Sequence, residues 1–334
     1  MAFYTFLLLT LLTVLGVCYP SSWGYVSISF VFVGVPILDW ILGTTKKNPS
    51  ESEKISLGRP IWWASPLYIY CFTHFALLYW AGLKLSSQNL WGEFFITSIL
   101  VGMYTGGVGI TVAHELCHKK DFIPRFLADL LLSSVCYQHF AVEHVRGHHL
   151  RVATPEDPAS SRKGESVYAF WFRAVFGSFI HACQLDLKSV LRGVLYSFLF
   201  ALSFYFIGSR VLIFFFLQSF VAFTLLELVD YIEHYGLERK KSSSGRFEKV
   251  QVHHSWNSSH RFSNLLLFNL QRHSDHHAYA HLPYSLLRHH DEAPQLPSGY
   301  PGMILLALLP PLWFKVMDKK VIEFNNRKIP ERNA

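Results

Sequence analysis

Charge is what this 334-residue chain has least of: Asp, Glu, Lys and Arg make up 16% of it, against 51% hydrophobic residues. That scarcity argues against a soluble two-domain protein, and several apolar runs approach the roughly 20 residues that cross a bilayer. Paired cysteines are missing too. Cys18, Cys71, Cys117, Cys136 and Cys183 are scattered with no CxxC among them, which argues against a zinc ribbon, a rubredoxin-like module or a disulfide framework. They read as small packing residues. No basic run interleaved with aromatics follows the pattern of nucleic-acid binding, so the net charge of +7 is read as membrane topology. The run MAFYTFLLLTLLTVLGVC lacks a basic n-region and an A-x-A site, and is expected to be a membrane helix. Internal repeats and low-complexity tracts are absent.

What is present is an all-α integral membrane protein in a single domain, 1–334, with six expected transmembrane helices at about 2–17, 24–42, 62–83, 94–113, 193–207 and 211–232. The first and fifth are short, which implies tilt or local thinning. Of the thirty Lys and Arg, only Lys84 and Arg210 fall in the expected outer loops. The positive-inside rule therefore puts both termini and the polar segments 114–192 and 233–334 on the cytoplasmic side. Within the first of these, RFLADLLLSSVCYQHFAVEH reads as one interfacial helix. The run MILLALLPPLWF is too short and too broken by proline to span, and reads as interfacial. ERKKSSSG reads as a mobile loop, and the tail from Asn325 as frayed.

Histidine is the unusual abundance. His114 and His118, in HELCHKK, are four apart and share one face of a helix, as two imidazoles on one metal require. EHVRGHH adds His144, His148 and His149, and LQRHSDHH adds His273, His276 and His277. A zinc protease of the HExxH type, with Glu115 as base, needs only one further ligand, and a metal transporter would carry its ligands along the spans rather than at one face. Eight imidazoles are enough for two metals. Imidazole alone does not choose the metal. A site facing an apolar interior, with no evident nucleophile, suits attack on unactivated C–H bonds with O2 and so points to two iron ions. His234, in DYIEHYGLERK, falls where the last span reaches the same face and is expected as a ninth ligand. Glu115, Glu143, Asp230, Glu233 and Asp275 lie close enough in sequence to orient ligating rings. His74, His139, His181, His281, His289 and His290 read as ordinary packing or interfacial residues, and His253, His254 and His260 as supporting or surface residues.

HELCHKK, EHVRGHH with ATPEDPASSRKGES, DYIEHYGL, SNLLLFNLQRHSDHHA with APQLPSGYPGM, and PILDWILGTTKKNPS at 36–50 together resemble the membrane alkane 1-monooxygenase (alkane omega-hydroxylase) family. The histidine layout alone is shared with membrane fatty-acid desaturases and hydroxylases, while ATPEDPAS and LQRHSDHH are the narrower match. The resemblance implies six membrane helices in a bacterial inner membrane and a non-haem di-iron centre on His114, His118, His144, His148, His149, His234, His273, His276 and His277. It implies insertion of one oxygen atom from O2 at a terminal methyl to give a primary alcohol. Electrons would come from a rubredoxin-type donor and its reductase. A fatty-acyl desaturase or hydroxylase is the alternative. The segment after His149 carries Pro155 and Pro158, which forbid a regular helix and predict a rigid loop beneath the metal site.

Overall fold

The computed structural model describes residues 2–88 and 90–327, with the side chains of Ala2, Pro60 and Ile61 left aside. Among these residues the chain is helical, with isolated bridges but no strand. The apolar helices are α1 (Phe6–Cys18), α2 (Pro20–Leu42), α4 (Pro60–Ser86) and α5 (Trp91–Cys117), followed by α8 (Val167–Ile207) and α9 (Ser209–His234). Between and after them lie α3 (Glu51–Leu57), α6 (Phe122–Ser133), α7 (residues 140–151), α10 (Arg261–Leu266), α11 (His273–Ala278), α12 (Tyr300–Ala307) and α13 (Pro310–Asn325). Four helices, α2, α5, α8 and α9, are long and apolar enough to cross a membrane, or five spans if the bent pair α12 and α13 counts as one.

The packing of α5 on α9 fixes the depth of the site. A Cβ on Gly102 would lie 2.6 Å from the Gln218 carbonyl oxygen, and one on Gly106 would lie 2.6 Å from Ala222 backbone. Only glycine permits this approach. Thr105 donates to Gln218 Oε1 at 2.8 Å across the same seam. With the two helices locked in register, His114 near the end of α5 and His234 at the end of α9 come out beside the same cluster of rings.

Two segments differ from the expectations of the sequence, and a third is drawn in more detail. The fifth span was placed at 193–207, but α8 begins at Val167 and bends at Asp186, whose φ of −159° and ψ of 80° are not helical. Asp186 accepts from Ser189 N at 3.1 Å and so caps the second half, which runs from 187. Its charge, with Lys188 and Arg192, hid the helix from hydropathy. The first half carries exposed Tyr168, Phe172, Phe176 and Ile180 at helical spacing, so here is an outward apolar stripe suited to a lipid interface. The stretch expected as one interfacial helix, 125–144, instead divides into α6 and α7 around a turn where Cys136 has φ 54°. Finally, α12 and α13 meet at 120°, and α13 buries Trp313 against Tyr231 and Tyr235 of the α9 end.

ERKKSSSG is an exposed turn closed by a bridge between Lys241 and Phe247. Of the tail expected to fray, residues 328–334 lie outside the described ones.

Candidate metal centre

The nine expected histidines converge into two groups. His114, His118, His144, His149 and His276 form one, and His148, His234, His273 and His277 the other, each with its ligand atoms within 4.8 Å of one another. In the first, His149 Nε2 lies 3.0 Å from His144 Nε2 and 3.1 Å from His276 Nε2. In the second, Nε2 of His277 lies 2.9 Å from that of His273 and 3.3 Å from that of His148, while His234 and His273 face each other at 3.3 Å.

Local backbone geometry decides the sharing. Five residues on, an α-helix has turned about 140° away from its starting face, yet His144 and His149 point to the same group. The reason is a π-helical turn over His144–His148, whose wider winding brings i and i+5 together and sends His148 to the other group. On α11, His273 and His277 are one turn apart and share a group, whereas His276 projects toward the other.

The residues fit metal ions. An ion about 2.1 Å from each of several imidazole nitrogens sets neighbouring nitrogens about 3 Å apart, which is the spacing found here. Nε2 of His114 and of His118 is buried and meets no protein partner. Burial also favours the neutral form that ligands require in most of these rings. Desolvation, with Lys119 adding to it, draws His118 down to about 4, and desolvation takes His144, His149, His276 and His277 well below the ordinary imidazole value.

His148 differs because burial, the largest influence, opposes its charge, while Asp157 together with the nearby Glu143 and Glu227 raises its pKa. His148 Nδ1 lies 2.8 Å from Asp157 Oδ2, an arrangement in which the ring donates Nδ1–H and turns its Nε2 lone pair inward. Asp157 is itself held, accepting from Ser160 Oγ at 2.6 Å and from Ala159 N at 3.1 Å. Arg173 ties the same loop down by donating to the carbonyls of Pro158 and Ser160 at 2.8 and 3.0 Å. The proline-broken segment is therefore cross-braced beside the histidines.

The acids proposed from sequence are placed variously. Glu233 Oε2 lies 3.1 Å from His273 Nε2 and its other oxygen accepts from Tyr300 OH. Asp230 lines the cavity described below. Glu115 pairs with Lys119 at 2.5 Å, and Glu143 with His181 at 3.0 Å. Asp275 clamps Arg288 and His290 at 2.8 and 2.7 Å.

Sequence reasoning missed Asp157 and Tyr300. Asp157 sits in the ATPEDPAS stretch already singled out, nine residues after His148, and Tyr300 sits in APQLPSGYPGM, also singled out; neither stretch shows its partner, which for Tyr300 is 67 residues away.

A third cluster, Glu248, His253 and His254, is explained without metal. His254 Nδ1 accepts from Gln251 N at 3.0 Å, so the ring's proton is on Nε2, which donates to Glu248 at 3.3 Å.

An apolar cavity leads to the histidines. Leu9, Val31, Phe32 and Val35 from α1 and α2 line it together with Gly107 and Leu225, and His114, His144 and His273 close its polar end.

Comparison with known proteins gives a consistent picture. A family model described as fatty acid desaturase matches residues 89–307. Alkane 1-monooxygenase 2 of Pseudomonas aeruginosa is 44% identical, with 92% of this chain and 86% of the relative covered. Alkane 1-monooxygenase 2 of Alcanivorax borkumensis is 42% identical over 90% of this chain and 83% of its own length. At greater distance, the xylene/toluene monooxygenase hydroxylase component of Pseudomonas putida is 28% identical over 63% of this chain and 59% of its own.

Proposed function

Since the chain belongs to the alkane 1-monooxygenase family, within the fatty acid desaturase family, we propose that it is a non-haem di-iron enzyme that hydroxylates the terminal methyl of an alkane or related alkyl chain. One oxygen atom of O2 enters the C–H bond to give a primary alcohol. The other leaves as water, consuming two electrons and two protons. The observation that carries this reading is a slot of hydrocarbon character ending on two groups of histidines. A terminal methyl offers no polar handle, so selection rests on the shape of the slot. The distant relative named for xylene and toluene, both methyl-bearing hydrocarbons, agrees with chemistry at a methyl group.

On this reading the nine histidines hold two irons, five on one and four on the other. Iron, when bound, supplies the activation of O2. The protein's own share is positional. The α1, α2, α5 and α9 walls hold the chain and exclude water, Asp157 fixes the tautomer of His148, and Tyr300 holds Glu233 against His273. Electrons come from a rubredoxin-type carrier served by its reductase. The single domain crosses a bacterial inner membrane six times, through α1, α2, α4, α5, the second half of α8, and α9. Both termini and the histidines are on the cytoplasmic side, where nearly all the Lys and Arg lie.

The test is incubation of membranes containing the protein with reductant and labelled O2, alongside alkanes from octane to hexadecane and a fatty acid. A labelled primary alcohol is the expected product, with about two irons per chain in the purified protein. An alkene, or a hydroxylated fatty acid alone, would transfer the assignment to the desaturases and acyl hydroxylases.

A further inference from the structure

The two histidine groups differ in their access to the outside. All four members of the second are buried, whereas His118 and His149 of the first are only half-buried. Directly after His149 comes Leu150, an aliphatic side chain that is 70% exposed. It lies in a polar part of the chain, between Arg146, which pairs with Asp186, and Arg151, which meets His181. Its neighbours are basic. Arg239 donates to the Leu150 carbonyl at 2.8 Å and its own N–H bonds the Ala153 carbonyl at 2.8 Å, which fastens the hairpin 239–248 alongside residues 150–153. Lys240, Lys241, Arg246 and Lys249 of these stretches are exposed, as is Arg146, which pairs with Asp186 at 2.8 Å, against the exposed acids Glu156 and Glu238.

We infer that Leu150 and this basic rim are the docking surface for a small acidic one-electron carrier, and that electrons enter through His149 into the five-histidine group. This rests on the hydroxylase reading above, which requires two electrons per turnover from outside the chain. An exposed leucine held against a hairpin rich in basic side chains fits an acidic partner: the leucine is covered on contact, and the basic residues steer the approach. That centre is one residue from His149, so a carrier that covers it sits close to the five-histidine group. The fully buried group then receives electrons through the first, across the touching rings of His149 and His277, whose centroids are 4.4 Å apart.

The test is equilibrium binding of an acidic rubredoxin to the iron-loaded protein in uncharged lipid nanodiscs, measured independently of turnover. Leu150→Glu is expected to raise Kd by about tenfold or more, with iron content unchanged. A Lys240→Ala, Lys241→Ala double variant should weaken binding at low salt and flatten its salt dependence. Lys319→Glu, on α13, should bind like the parent. Unchanged binding by Leu150→Glu overturns the proposal. So does a loss confined to anionic vesicles, which would make the patch a lipid contact. A parent that binds no carrier, yet gives labelled alcohol with dithionite, also overturns it while leaving the hydroxylase reading intact. Absence of labelled alcohol with either reductant is instead the failure of that reading.

Discussion

The two histidine groups draw on the same two short segments, α7 and α11, yet they are built differently. The five-histidine group touches the apolar slot through His114 and His144 and reaches toward solvent through His149. The four-histidine group is sealed from solvent, meets the slot through His273 alone and leans on carboxylates, Asp157 behind His148 and Glu233 beside His273. One set thus lies nearer the outside and the other deeper. Sharing two segments also couples them mechanically, since a shift of α11 moves both.

The comparison can be broken most forcefully by removing a ligand from each side. His148→Ala strips the sealed group and His276→Ala the open one. Each is expected to abolish hydroxylation and to cost about half the iron or more while the protein still inserts. Full iron occupancy in either variant would remove that histidine from the ligand set. Asp157→Asn should lower iron affinity by about 10- to 100-fold, read by competition with a chelator, and an equal effect on both irons would contradict its assignment to the sealed group.

On the open side, a Cβ at Gly107 would meet nothing within 4 Å and so point into free space in the slot. Gly107→Leu should therefore cost about 1–3 kcal/mol in binding long chains and move the product profile toward shorter alkanes. An unchanged profile would place Gly107 outside the substrate path. The smallest effect belongs to Ser255→Ala, which removes a long 3.4 Å contact to His234 Nδ1; iron affinity should change by no more than about threefold, within the roughly 0.5–1.5 kcal/mol of an ordinary hydrogen bond.

The histidines of the candidate site and much of the helix layout were legible because both depend on short-range pattern. Spacing of four put His114 with His118, and hydropathy found the long spans. The division of labour was not legible. His144, His148 and His149 read alike in sequence, and only the π-turn separates them, a winding that no residue in HVRGH announces. The start of α8 was obscured for the opposite reason: Asp186, Lys188 and Arg192 depress hydropathy where the chain is nonetheless helical, with Asp186 spending its charge as a cap. Asp157 lay inside a recognised motif, but its partner ring emerges only once the loop is folded back.

The slot has a consequence for how the enzyme meters its fuel. Its walls come from α1 and α2, helices whose opposite faces carry exposed Leu7, Leu8, Val33 and Ile37. A hydrocarbon dissolves in the surrounding lipid before it meets these walls, and each added methylene favours that phase by about 0.8 kcal/mol, or roughly fourfold. The quantity that saturates the enzyme is therefore the mole fraction of alkane in the bilayer. Rates plotted against aqueous concentration will credit the protein with a preference for long chains that belongs to partitioning, and dividing it out leaves the selectivity of the slot itself.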